Sequence, residues 1–170
     1  MATSTLIQNL NSTYVDGFGA SVGSGTATSD RRQTETFIAK ETLLVGDWVA
    51  FDYAATLAGD VTLGVYKADG NSTPVRTPMG VVVESAQTDG ALTAGAKVRV
   101  CISGVCNAAI SANASGADYP VGTLLQITNA AGEAAIASAA SAQPVCGILT
   151  EVQANGAALA QKRVVVIKQF

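Results

Sequence analysis

The chain has 170 residues, 48% of them hydrophobic and 14% charged, with a net charge of −3 and a pI near 4.8. That is enough apolar material for one domain with a core, or two small units packed together, and too much for a chain disordered throughout. The acidic balance and the scattered basic residues exclude a global electrostatic footprint for nucleic acid, and no run approaches the roughly 20 apolar residues of a membrane span.

Residues 1–36 read as a flexible or extended N-terminal arm. GFGASVGSGTATSDRRQTET is rich in Gly, Ser and Thr and has no sustained periodicity, so it buries little by itself. Leu6, Ile7, Leu10, Tyr14, Val15 and Phe18 punctuate it as anchors for another surface; a plain disordered tail is the competing reading. Arg31-Arg32 is a basic pair that could meet an acidic partner or simply stay solvated. The first residues have no basic n-region and no long apolar stretch, so no secretory signal is expected. The sequons at Asn11, Asn71 and Asn113 then read as chance products of an Asn/Ser/Thr-rich chain.

From Thr36 the pattern changes, and residues 37–170 read as an all-β domain. TETFIAKETLLVGDWVAFD gives strand, turn on Gly46-Asp47, strand, with Trp48, Ala50 and Asp52 on one face and Val49, Phe51 and Tyr53 on the other. AGDVTLGVYKADGNS is a strand closed by Asp69-Gly70-Asn71. GVVVESAQ is a β-branched run of the fully buried kind. In AKVRVCISG, Val98, Val100 and Ile102 share a face opposite Lys97, Arg99 and Cys101. The polar link SANASGADYP precedes the strand VGTLLQIT. NAAGEAAIASAASAQ is ambiguous, since its alanines favour a short helix over Ala134–Ala142 while Gly132 and the serines oppose a long one. GILTEVQ and KRVVVIKQF read as the last strands.

One phrase occurs twice. PMGVVVESAQTDGALTAG at 78–95 is echoed by PVCGILTEVQANGAALAQ at 144–161, and the match extends to repeat-like units of about 45–102 and 121–167. Val45–Asp52 aligns with Val121–Thr128, Gly80 with Gly147, Glu84 with Glu151, Asp89-Gly90 with Asn155-Gly156, and Lys97–Val100 falls near Lys162–Val165. Asp-Gly and Asn-Gly supply the turn conformations that tight hairpins demand. Two such units pack most simply as the halves of a small barrel or sandwich, which closes otherwise exposed strand edges. Shared turn grammar arising by chance is the alternative.

The three cysteines do not form the even set of a secreted disulfide framework. A two-residue Ser103-Gly104 turn in CISGVC would set Cys101 and Cys106 opposite each other on adjacent strands, close enough for a disulfide; small buried thiols are the simpler reading. The sequence contains no histidine, and three thiols do not complete a zinc site. No catalytic constellation is legible: the commonest general base is missing and no nucleophile elbow occurs. GFGASVG lacks the Lys-Ser/Thr of a phosphate loop. Asp47, Asp52, Asp60, Glu84 and Glu151 read as solvated turn residues, with no Asp-x-Asp-x-Asp calcium loop among them. Neither a cofactor nor an enzymatic activity is expected. A small β-module with an arm and no catalytic site suits contact with other proteins.

The pattern LLVGDWVAFD … GDVTLGVYKA … PMGVVVESAQTDGALTAGAKVRVCISGVCNAAI … VGTLLQIT … CGILTE resembles the head decoration, or cement, proteins of tailed bacteriophages, over about residues 37–167. The resemblance implies a β-barrel or β-tulip-like module, a homo-oligomer that is usually a trimer, on the virion exterior. There it binds the major capsid protein at subunit junctions and stabilises the shell after assembly in the host cytoplasm. By the same analogy, residues 1–36, with Leu6, Ile7, Leu10, Tyr14, Phe18, Arg31 and Arg32, would grip the capsid or a sister subunit. A phage fibre or surface module that binds a carbohydrate receptor is the alternative from another class.

Overall fold

The computed structural model describes residues 32–52, 64–71, 76–85, 91, 92, 94–138 and 143–169. Among them every regular element is a strand: β1 (Arg32–Ala39), β2 (Leu43–Leu44), β3 (Trp48–Phe51), β4 (Gly64–Lys67), β5 (Gly80–Ser85), β6 (Ala91–Leu92), β7 (Lys97–Ile110), β8 (Leu124–Ile127), β9 (Ala134–Ile136), β10 (Val145–Leu149) and β11 (Ala160–Val166). The all-β reading is therefore correct. Ala134–Ile136 is a strand, where the alanines had left a helix open. Ala134 is fully buried opposite both Ile127 and Ile110, and those tertiary pairings override the helix preference of alanine.

The main sheet runs β1-β4-β3-β5-β7-β11-β10-β8-β9, and two further pairings, β1–β7 and β7–β9, bend it back on itself. Each closes a ring of five strands. The first ring is β1-β4-β3-β5-β7 and the second is β7-β11-β10-β8-β9, so β7 belongs to both. This settles the fate of CISGVC. Ser103-Gly104 does not turn the chain into a hairpin; β7 continues through it for 14 residues. Its first half pairs with β1 and β5, and its second half with β11. Gly104, at φ 100°, sits at the changeover, opposite both Arg32 and Val166. The register with β1 slips nearby, at Ile102, and the positive φ that glycine adopts without strain lets the long strand bend from one ring into the next.

The two rings share strand order, strand sense and register. In the first, Val49 lies opposite Gly80, Ala50 opposite Tyr66, and Val81 opposite Cys101. In the second, Leu125 lies opposite Gly147, Gln126 opposite Ala135, and Ile148 opposite Val165. The parallel contact of Ala39 with Val65 recurs as Ile110 with Ala134. The turns match as well. Gly46 N donates to Val82 O at 2.8 Å and Asp47 N to Leu44 O at 3.0 Å; Gly122 N donates to Leu149 O at 2.8 Å and Thr123 N to Pro120 O at 3.2 Å. Strand β1 thus corresponds to the second half of β7, and the first half of β7 to β11.

The cores follow the same register. Phe37, Ala39, Val49, Val65, Val82, Val100 and Ile102 fill the first ring. Their counterparts Ala108, Ile110, Leu125, Ala134, Leu149, Val164 and Val166 fill the second. Alternation explains this, because inward residues recur every second position on each strand. Three positions are smaller in the second interior, Ala108 for Phe37, Ala134 for Val65 and Val166 for Ile102, and three are larger, Ile110 for Ala39, Leu125 for Val49 and Leu149 for Val82; the largest single loss is the Phe37 ring. Trp48 supplies the missing volume. It projects outward from β3 of the first ring and joins the core of the second, fully buried, with Nε1 donating to Ala109 O at 3.2 Å. A Cβ on Gly147 would lie 2.9 Å from Trp48 Cη2, so this position admits no side chain without a shift. Ala50, Val81 and Cys101 share the outward face of Trp48 and are buried with it.

Candidate functional site

The anchors Leu6, Ile7, Leu10, Tyr14, Val15 and Phe18, together with Arg31, lie outside the described residues. Arg32 does not belong to an arm: it opens β1 opposite Gly104, is solvent-exposed, and residues 32–36 pair along β7. The strand therefore begins inside the stretch 1–36. The polar, alternating RQTET has one edge on β7 and needs no apolar face of its own, which is why composition alone reads it as loop.

Cys101, Cys106 and Cys146 are all free and buried. Cys101 and Cys106 flank Gly104 on one strand, and both belong to the same core cluster. Their side chains are hydrogen-bonded. That bond lowers the Cys101 pKa, while the same bond together with burial raises that of Cys106. The Arg32 guanidinium adds a smaller pull toward the thiolate at both. Cys146 is pushed up to about 12 by burial, with its Sγ against Leu125 O at 3.4 Å. Cys106 and Cys146, held protonated by burial, behave as small apolar side chains.

The acidic residues hold turns together. Asp47 and Asp52 are buried, not solvated. Asp47 Oδ2 accepts from Leu44 N at 2.8 Å and lies 3.2 Å from Lys67 Nζ, tying the β2–β3 turn to β4. Glu151 Oε1 accepts from Arg163 N at 3.0 Å and pairs with Lys162 Nζ at 3.8 Å, joining β10 to β11. Asp60 lies outside the described residues. Among those described, no three His, Cys, Asp or Glu side chains converge as metal ligands. No described helix is long and apolar enough to cross a membrane.

The polar link 111–120 is organised by a buried amide. Asn113 Nδ2 donates to Ala117 O at 2.9 Å and Gln153 O at 3.2 Å, and its Oδ1 accepts from Ser115 N at 3.1 Å. Asn113 is 1% exposed, so its sequon is closed to modification in the folded chain. Gln153, also buried, donates from Nε2 to Ser111 O at 2.9 Å. Nothing in the sequence marks Gln153, beyond its place just before Asn155-Gly156, as the partner of that loop.

The described aromatic side chains do not form an exposed platform. Phe37, Trp48 and Tyr119 are buried. Phe51 meets Phe37 edge to face at 6.0 Å, and the half-buried Tyr66 is covered by Arg76, 4.5 Å above its ring. What the surface offers instead is aliphatic: Leu44, Val121, Leu124, Ile136, Val152 and Leu159 are each at least 41% exposed. Five of the six belong to the second ring and its loops. The sequence signal for them was faint. Adjacent Leu124-Leu125 and the run Val164–Val166 are apolar on both faces of a strand, which reads as double-sided burial.

No family model matches the chain, and no curated protein matches it. Among solved structures, the chain is similar to the N base of head fiber gp8.5 of bacteriophage phi29. The two are 17% identical over 79% of this chain and 93% of that one, with a TM-score of 0.46. At that distance the likeness assigns neither family nor function.

Proposed function

We propose that the protein is a structural component of a phage virion that binds the outer surface of the head and stabilises it where capsid subunits meet. The observation that carries this reading is how the side chains of the double ring are used. The described carboxylates of Asp47 and Glu151, the buried amide of Asn113 and the Nε2 of Gln153 are spent on turns and loop closure, while aliphatic side chains on the second ring face outward. Such a surface contacts other proteins rather than turning over a substrate. The resemblance of residues 37–167 to head decoration proteins supplies the partner, the major capsid protein. Many weak contacts on one lattice add through avidity, so each copy needs only modest affinity.

In this reading residues 1–31 extend the grip onto the capsid or a neighbouring subunit, and the protein takes its place on the virion exterior as a homo-oligomer. Carbohydrate recognition is less well supported, because the described aromatic side chains are buried, packed on Phe37 or covered by Arg76.

Co-sedimentation tests the proposal. The purified full chain is mixed with heads lacking it, and bound protein is measured along with the temperature at which the heads release DNA. Saturable binding at a fixed ratio to capsid subunits, with a raised release temperature, is the expected result. No binding, or binding that leaves head stability unchanged, would overturn it.

A further inference from the structure

Two thiols meet at the joint between the rings. Cys101 and Cys106 are five residues apart on β7. In an unbroken strand that spacing puts side chains on opposite faces, about 16 Å apart along the chain. Here both belong to one core cluster and are hydrogen-bonded to each other. The strand between them is irregular: its register with β1 slips at Ile102, and Gly104 has a φ of 100°. The pair is thus assembled within one bent strand, without the hairpin that the sequence suggested. Both thiols are free. Ser103, Gly104 and Val105 are partly exposed, and Arg32, opposite Gly104, is exposed, so the pair lies just beneath the surface. Cys146 shares the cluster, but its Sγ is hydrogen-bonded to Leu125 O at 3.4 Å.

We propose that Cys101 and Cys106 are a redox pair, which a peroxide oxidises to a disulfide that locks the bend of β7 and with it the joint between the rings. Cys101 reacts first, because the hydrogen bond from Cys106 and, more weakly, the Arg32 guanidinium favour its thiolate. Its sulfur attacks one peroxide oxygen and the O–O bond breaks. A sulfenic acid forms, and the other oxygen leaves as hydroxide, which takes up the proton that Cys101 released and becomes water. The Cys106 sulfur then attacks the Cys101 sulfur. The S–S bond forms, the S–O bond breaks, and the hydroxyl leaves with the Cys106 proton as a second water. The two thiols lose two electrons and hydrogen peroxide gains them. The inference stands on the placement of the cysteines, not on the virion reading. A chain that ignores heads still closes this bond, and a chain that binds heads without closing it keeps the other proposal and loses this one.

The test exposes the folded full chain to excess hydrogen peroxide, alkylates it in denaturant and counts the labelled thiols by mass spectrometry. The three labels of the wild type should fall to one, with reductant restoring all three and fragmentation placing the link between Cys101 and Cys106. Cys146→Ala should still lose both of its labels, whereas Cys106→Ser should form no link within the chain. The oxidised wild type should melt higher than the reduced chain by about 4 °C or more, a gain that reductant removes. If Cys106→Ser fails to fold, the wild type and Cys146→Ala decide. Three labels retained, a link through Cys146, or sulfur oxidised irreversibly without a disulfide would overturn the proposal. So would a Cys101–Cys106 disulfide that leaves the melting temperature unchanged or lower, since the bond would then lock nothing.

Discussion

At the scale of single residues, the fold depends on side chains that are absent as much as on those present. Gly147 leaves the space that Trp48 enters, and a Cβ there would also come within 3.0 Å of Val165 O. Gly147→Ala should cost about 1–3 kcal/mol by overpacking, and Trp48→Ala about 3–5 kcal/mol through the cavity it leaves. The two are coupled. In chemical denaturation the alanine at 147 should cost less once Trp48 is gone, a non-additivity of about 0.5 kcal/mol or more. Strictly additive costs would place the indole elsewhere. Cys146 makes a second prediction. Its pKa rises from 9.0 to about 12 on folding, so above pH 9 the unfolded chain releases a proton that the folded chain retains. Its stabilising contribution is complete below pH 9 and is lost as pH climbs toward 12, at up to about 1.4 kcal/mol per unit. Cys106 acts in the same direction. Unfolding free energies measured from pH 8 to pH 10.5 should fall more steeply for the wild type than for Cys146→Ala; equal slopes would remove Cys146 from the account.

Strand β7 is the element on which the architecture turns. Its first half is the last strand of one ring and its second half the first strand of the next, with Gly104 at positive φ between. Gly104→Val forces a β-branched residue to φ 100°. It should cost about 1–3 kcal/mol and, because both rings share the strand, slow amide exchange should be lost on β1 and on β11 together. Exchange that quickens on one side alone would mean that the rings are held independently. The same element shows how much of the fold could be read from sequence. Alternation in Trp48–Phe51 and Lys97–Ile102 gave faces that the structure keeps, since period-2 burial is a local property. The repeat-like units gave glycines that recur in register, Gly46 with Gly122 and Gly80 with Gly147, while Asp89-Gly90 lies outside the described residues. The path of CISGVC was not legible. Ser103-Gly104 has hairpin chemistry, and only the strands β1 and β11, far off in sequence, hold the chain extended through it. Nor was the exposure of Leu124 legible, because a leucine beside Leu125 looks like core until the neighbours of each face are known.

For the whole molecule, two rings of one topology interlock through a shared strand and a donated tryptophan. The first ring uses its outward face to complete the second, and Leu124, which stands in the second ring where the first has Trp48, is exposed. The most direct measurement is an electron cryo-microscopy reconstruction of the virion with which the chain co-purifies. The account predicts density for the double ring at symmetric positions on the outer face of the head, over the junctions between capsid subunits. Residues before Arg32 should trace onto the capsid or a sister chain. Density confined to a tail fibre, or a fully resolved shell with no double ring upon it, would contradict it.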